Sequence, residues 1–128
     1  MNESCPFCKP SESQVWHETE AGIALRDGYP VAEGHSLVIP RSHVSSLFEL
    51  NQAEQQSLWS LVAEVREKLA RDLNPDGFTI GLNDGGAAGQ TVSHAHIHII
   101  PRWNGDVTDP RGGVRWVIAD KAKYWGDD

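Results

Sequence analysis

Three of the six histidines, His94, His96 and His98, stand at alternate positions directly after a glycine-rich turn, Gly85-Gly86-Ala87-Ala88-Gly89. The alternation predicts a strand over residues 93–100, with Ala95, Ile97 and Ile99 on one face and the three imidazoles on the other. All three cannot share one metal. At roughly 3.3 Å of rise per residue the Cα atoms of His94 and His98 lie about 13 Å apart, whereas zinc holds its nitrogen ligands at about 2 Å. His94 and His96 could still form a His-x-His pair with a third ligand from elsewhere, the arrangement of a metal-dependent hydrolase. The rival chemistry makes an imidazole the nucleophile toward phosphorus, through a phospho-histidine linkage that water later breaks. That reaction needs a neutral ring nitrogen and donors around the phosphate oxygens. The backbone N–H groups of the glycine turn can form a nest, and Asn83, Gln90 and Thr91 add neutral side chains. The turn is not a Walker loop, since it lacks the lysine and leads into a strand.

A second group of reactive side chains opens the chain. Where thiols stay reduced, Cys5-Pro6-Phe7-Cys8 reads as a redox pair or half of a metal site rather than a disulfide. Two cysteines cannot complete an all-cysteine zinc site, so a structural zinc here needs two histidines as well.

These groups need a scaffold to hold them. Val15-Trp16 and Gly22-Ile23-Ala24-Leu25-Arg26 predict a first hairpin, Asp27-Gly28-Tyr29-Pro30 a turn, and Ser36-Leu37-Val38-Ile39-Pro40 a buried strand between His35 and His43. Asn51-Gln52-Ala53-Glu54 has the pattern of a capping box, and Leu58, Leu61, Val62, Val65, Leu69 and Leu73 recur at helical spacing behind it. Glu64-Lys68 and Glu67-Arg71 are i,i+4 pairs on the wet side. Asn74-Pro75-Asp76-Gly77 stops that helix. Phe78 to Asn83 predicts another strand, which forms an antiparallel hairpin with the histidine strand. His17 is assigned nothing, and His35 reads as a supporting histidine rather than a ligand.

The 128 residues, 39% of them hydrophobic, suffice for one domain with a real core. Lys plus Arg number 11 against 18 for Asp plus Glu, a net charge of −7 that repels polyanions and argues against a non-specific nucleic-acid binder. There is neither a run of 18 apolar residues nor the pattern of a signal peptide. The expectation is a cytoplasmic protein with no membrane partner.

The run from Gly89 through Gln90, Thr91, Val92 and the three histidines to Arg102 resembles the His-x-His-x-His-x-x signature of the histidine triad (HIT) nucleotide hydrolases, preceded by that family's Gly-Gln-[Ser/Thr]-Val. Gly34 to His43 resembles the family's second strand with its Pro-Lys/Arg-x-His ending. Cys5-Pro6-Phe7-Cys8 is similar to the opening segment of zinc-containing bacterial members. The resemblance implies an α+β, HIT-like fold: an antiparallel sheet of about five strands, one long helix and a short helix. It spans a single domain, 1–128, with a C-terminal tail from about residue 103, and implies a homodimer.

The resemblance also implies roles. His96 is the nucleophile, its other nitrogen donating to a backbone carbonyl, expected to be that of His94. His98 binds the attacked phosphate and assists the leaving group, and Gln90 completes the catalytic set. Asn83, Gly89, Gln90 and Thr91 contact phosphate, Asp27 the ribose hydroxyls, and Phe7 and Leu25 the base. Cys5, Cys8, His43 and His94 hold a structural zinc. For Asp27 the plain alternative is a turn aspartate before Gly28.

Pro101-Arg102 followed by Asn104-Gly105-Asp106 resembles the branch acting on dinucleoside polyphosphates, and Arg111 and Arg115 could either reach a distal phosphate or lie in a surface loop. The sister uridylyltransferase branch, with His-Pro-His and a Gln for the third histidine, is departed from here. The implied activity is cleavage at the α-phosphate through a nucleotidyl-histidine intermediate. The rivals are nucleoside phosphoramidate hydrolysis, a non-catalytic nucleotide-binding regulator and a metal-dependent hydrolase.

Overall fold

The computed structural model describes residues 5–126. Five strands, β1 Val15–Glu18, β2 Gly22–Arg26, β3 Ser36–Pro40, β4 Gly77–Gly81 and β5 Ile97–Arg102, form one sheet in the order β1-β2-β3-β5-β4. Every neighbouring pair is antiparallel. One long helix, α1 Gln52–Leu73, crosses the sheet, and a short one, α2 Ala119–Ala122, lies in the tail. This is the expected α+β architecture.

Local chemistry sets the helix ends. Asn51 Oδ1 accepts from the Glu54 N–H at 2.8 Å, and Glu54 Oε1 accepts from the Asn51 N–H at 2.9 Å, a reciprocal capping box. Asn74 closes the other end in the left-handed conformation, φ 50°, its N–H reaching the Ala70 carbonyl. Between the caps, Leu58, Leu61, Val62, Val65 and Leu69 are buried against Ala24, Val38, Ala95, Ile97 and Ile99. Each large side chain of that stripe contributes roughly 1.5–3 kcal/mol of burial. On the wet side Glu64 accepts from His17 Nε2 at 3.1 Å, so His17 ties the helix to the edge strand β1.

Both faces of β3 are covered, which is why all five of its residues are buried. Val38 faces α1, while Leu37 and Ile39 join Leu25 in a second cluster capped by Phe7 and Val15. The histidine strand begins later than its alternation suggests: pairing runs over Ile97–Arg102, so only His98 lies inside it. Ahead of the strand the Ala95 N–H bonds the Val44 carbonyl at 2.7 Å, and His94 is fully buried. The chain leaves the pleat there because His94 is drawn toward the N-terminal segment.

Arg111 and Arg115 do not reach toward the histidines. Arg111 grips Asp109 and stacks over Trp125, 4.6 Å from the ring centre. Arg115 donates to the carbonyls of Lys121 and Ala122 and lies 4.7 Å over Tyr124. Both guanidiniums serve to fold the tail, so the phosphate-reaching alternative is set aside.

Candidate active site and metal centre

Cys5, Cys8, His43 and His94 bring their ligand atoms within 4.8 Å of one another. Neither cysteine is in a disulfide. His94 Nδ1 lies 3.5 Å from Cys5 Sγ and 3.7 Å from Cys8 Sγ, and His43 Nδ1 lies 3.0 Å from Cys8 Sγ. A tetrahedral ion with bonds of about 2.3 Å to sulfur and about 2.0–2.1 Å to nitrogen separates such atoms by about 3.5 Å, so two of the three spacings suit a metal and the third is short. The His94 ring is also oriented for it. Its Nε2 donates to the Pro40 carbonyl at 2.8 Å, which leaves Nδ1 as the lone-pair nitrogen facing the thiols. Burial, offset in part by that carbonyl, lowers the His94 pKa and keeps the ring neutral, as a ligand must be. The four residues can therefore hold a metal of the zinc type.

Phe7, between the two cysteines, joins this cluster to the next histidine. Its ring stands edge-on to His94, with centroids 5.9 Å apart, and to His96 at 5.1 Å. His96 Nδ1 donates to the His94 carbonyl at 2.8 Å. The lone pair of neutral His96 is therefore on Nε2, the atom left to face the cavity.

His98 has the opposite tautomer, and the cause can be traced residue by residue. The Val31 N–H donates to His35 Nδ1 at 3.1 Å, so the proton of neutral His35 sits on Nε2. That Nε2–H points to His98 Nδ1 at 2.9 Å and to Asp27 Oδ2 at 3.3 Å. With Nδ1 accepting, His98 carries its own proton on Nε2. Burial pushes the pKa of both His35 and His98 down, against the upward pull of Asp27, which keeps the pair neutral. The ligand atoms of Asp27, His35 and His98 are close enough for a metal, but neutral His35 offers no lone pair there. This trio is a hydrogen-bond relay, and His35 is its buried source.

A cavity of about 400 Å³ lies over these rings, lined by Phe7, Asp27, Asn83, Gly89, Thr91, His96 and His98 among others. Strand order makes it run across the sheet, from β4 and β5 with the histidines to the end of β2 with Asp27. Asp27 combines two tasks: Oδ1 accepts from the Tyr29 N–H at 2.7 Å to shape the turn, while Oδ2 faces His35. Gln14, Arg26, Tyr29 and Leu37 also line the cavity. No motif marks them; only the turn after β2 hints at their place. Leu25 is not in the lining. It is buried beneath, beside Leu37, because Leu37 on the central strand takes the position over the cavity floor.

The loop ahead of the histidines is held from within. The glycine turn is a tight helical turn, Gly86–Ala88, flanked by Gly85 and Gly89 at φ 97° each. The N–H groups of Ala88, Gly89 and Gln90 bond carbonyls within the turn, so they offer no open nest. Gln90 braces the loop. Its Oε1 accepts from the Gly85 N–H at 2.8 Å, and its Nε2 donates to the Ser45 and Val92 carbonyls at 2.8 and 2.9 Å. Those three bonds use both N–H donors of the amide and one acceptor site of its oxygen, and they hold the loop that carries Gly89 and Thr91.

Comparison with known proteins agrees with this geometry. The HIT domain matches residues 9–105. An uncharacterized HIT-like protein of Mycoplasma genitalium is 38% identical over 104 residues, which cover 78% of this chain and 74% of that protein. A bis(5'-adenosyl)-triphosphatase of Dictyostelium discoideum is 40% identical over 91 residues, 71% of this chain and 61% of the relative. An adenylylsulfatase of Arabidopsis thaliana is 33% identical over 106 residues, 80% and 54% of the two chains. The crystal structure of a HIT family member from Bacillus subtilis superposes with a TM-score of 0.75 at 31% identity, covering 81% of this chain and 77% of that one. A Zn-bound histidine triad protein from Mycobacterium smegmatis gives 0.70 at 36% identity, covering 83% and 80%. Nucleotide hydrolases thus stand among its relatives, and the chain belongs to the histidine triad, or HIT, family.

Proposed function

We propose that the protein hydrolyses dinucleoside polyphosphates at the α-phosphate, through a nucleotidyl intermediate on His96. The observation that carries this reading is the pair of opposite tautomers in one cavity: His96 with a lone pair on Nε2 and His98 with a proton on Nε2, ring centroids 5.2 Å apart. In the first step His96 Nε2 attacks the α-phosphorus, a P–N bond forms, and the P–O bond to the leaving polyphosphate breaks. The Nε2–H of His98 donates a hydrogen bond to the leaving oxygen and stabilises the charge that develops on it as the polyphosphate departs. Water then attacks the phosphorus and releases a proton to solvent, and the P–N bond breaks to free neutral His96 and a nucleoside monophosphate.

Asn83, Thr91 and the Gly89 rim face the phosphates, Asp27 the ribose hydroxyls, and Phe7, above Leu25 and Leu37, the base. Gln90 works by holding the rim. Zinc bound by Cys5, Cys8, His43 and His94 has a structural role, clamping the N-terminal segment and with it Phe7. The reading includes a cytoplasmic setting, where thiols stay available to metal, and a homodimer; the outer edge of β4 leaves backbone groups open to a second copy.

The test is to incubate the protein with a panel of dinucleoside polyphosphates and nucleoside phosphoramidates, quench in acid and search for a nucleotidyl adduct on His96 by mass spectrometry. Turnover with the adduct on another residue, or turnover that persists in His96→Ala, would overturn the assignment.

A further inference from the structure

A second cavity, of about 550 Å³, lies beside the first and is engaged by nothing in the mechanism above. Its walls are Val31, Ile100, Trp103 and Val107, with Thr79 and Glu33 at the margins. Register places it on the same face of the sheet as the reacting histidines. Ile100 follows His98 by two residues on β5, about 7 Å along the strand. On β4, Thr79 is opposite Ile100 and Gly81 is opposite His98. A Cβ at Gly81 would meet nothing within 4 Å, so the floor between the two cavities is open at the point where the leaving group departs.

The chemistry of the second cavity suits a nucleoside and not a bare phosphate. Its one guanidinium among the lining residues, Arg102, is matched by Asp106 through Nε at 2.8 Å and Nη2 at 2.9 Å. That pairing holds the Asp106 carboxyl down to about 2 and leaves no net cation for an anion to seek. Trp103 offers an indole on which a base can stack, and the exposed Glu33 carboxylate can accept from a pair of ribose hydroxyls. Apolar walls with a few placed polar groups are the usual make-up of a small-molecule site.

We infer that this cavity, built around Trp103, seats the second nucleoside of the substrate, with its polyphosphate running over Gly81 from the α-phosphate at His96. The inference rests on the reaction proposed above and deepens it. It accounts for a substrate with a nucleoside at both ends, where the first cavity alone serves any nucleotide with a small leaving group.

Two substrates separate the contributions: diadenosine tetraphosphate needs both cavities, and adenosine 5'-phosphoramidate needs only the first. Trp103→Ala and Gly81→Val are each expected to lower kcat/KM for the dinucleotide by about tenfold or more, the range of a lost base stack. Turnover of the phosphoramidate should stay within about twofold, and Trp103→Phe should restore most of the loss. Equal losses on both substrates, or no loss on either, overturn the second seat. Should the wild-type chain cleave neither substrate, the proposed reaction fails and calorimetry judges the seat alone. A methylene-bridged diadenosine tetraphosphate that binds wild type more tightly than AMP does, with the advantage lost in Trp103→Ala, supports the seat. Equal affinity for the two overturns it.

Discussion

His96 donates from Nδ1 to the carbonyl of His94 at 2.8 Å, while the His94 ring turns its own Nδ1 to the sulfurs of Cys5 and Cys8. One residue therefore fixes the tautomer of its neighbour with its backbone and closes the metal cluster with its side chain. Replacing His96 by Asn is expected to lower nucleotide release on the order of 10⁴-fold or more, as loss of a nucleophile does. Steady-state rates on a dinucleoside polyphosphate measure this; a loss below about tenfold would assign the attack to another group.

Metal removal is expected to act on the fold before the chemistry. Exhaustive chelation, or Cys8→Ser, should abolish stoichiometric zinc in elemental analysis and lower the thermal midpoint, since binding free energy at such a site is also folding free energy. Activity should fall only as far as the folded fraction falls. Complete loss of turnover in protein that remains folded by circular dichroism would instead make the metal part of the reaction.

His35 donates to His98 Nδ1 and so keeps the His98 proton on Nε2, facing the leaving oxygen; His35→Asn should reduce kcat by about 10- to 100-fold with little change in KM, short of the about 10²–10³-fold for losing a charge-stabilising donor outright. It should also change the pH dependence of stability. The folded-state pKa values of His35 and His98 are lowered by burial, so below the ordinary histidine value of about 6.5 the unfolded chain binds protons that the folded chain refuses. Stability is fully present above that pH and is lost as the pH falls through it. Urea titrations from pH 7.5 to 5 should show this slope in wild type and a shallower one in His35→Asn; identical slopes would remove His35 from the account.

Gln90 joins three segments by its amide, to Gly85, Ser45 and Val92. Gln90→Ala should cost about 1–3 kcal/mol in urea unfolding, allowing for the backbone groups it leaves unpaired. Its effect on turnover should appear as loosened substrate binding. A variant as stable as wild type but with kcat much reduced would return Gln90 to direct contact with the phosphate.

Gly34 leads into His35 with φ +82°, and a Cβ there would sit 2.5 Å from Leu73 Cδ1. Gly34→Ala should destabilise the protein by about 2 kcal/mol or more, through both backbone strain and the clash with the end of α1. Thermal melts of the variant beside Gly28→Ala, whose Cβ meets only Gln14 at 3.6 Å, separate this effect from a general loss of glycine flexibility.

Much of the molecule is legible from local rules. The period of Leu58, Leu61, Val62, Val65 and Leu69 and the Asn51–Glu54 box define α1 because helix caps and amphipathic stripes are short-range properties. The five apolar residues of β3 and the alternation of Ala95, Ile97 and Ile99 likewise mark buried strands. The three histidines with their glycine turn mark the site for the same reason: the signature is contiguous. Tertiary structure decided what depends on side chains distant in sequence. That His94 leaves the pleat follows from a cluster closed across more than eighty residues. That Gln90 braces the loop rather than facing the cavity depends on the Ser45 carbonyl, 45 residues away. The tautomer of His98 depends on His35 and on the amide of Val31. Residue type and spacing name the imidazoles of this protein, but which nitrogen of each holds the proton is set by partners that only the folded chain brings within hydrogen-bond reach.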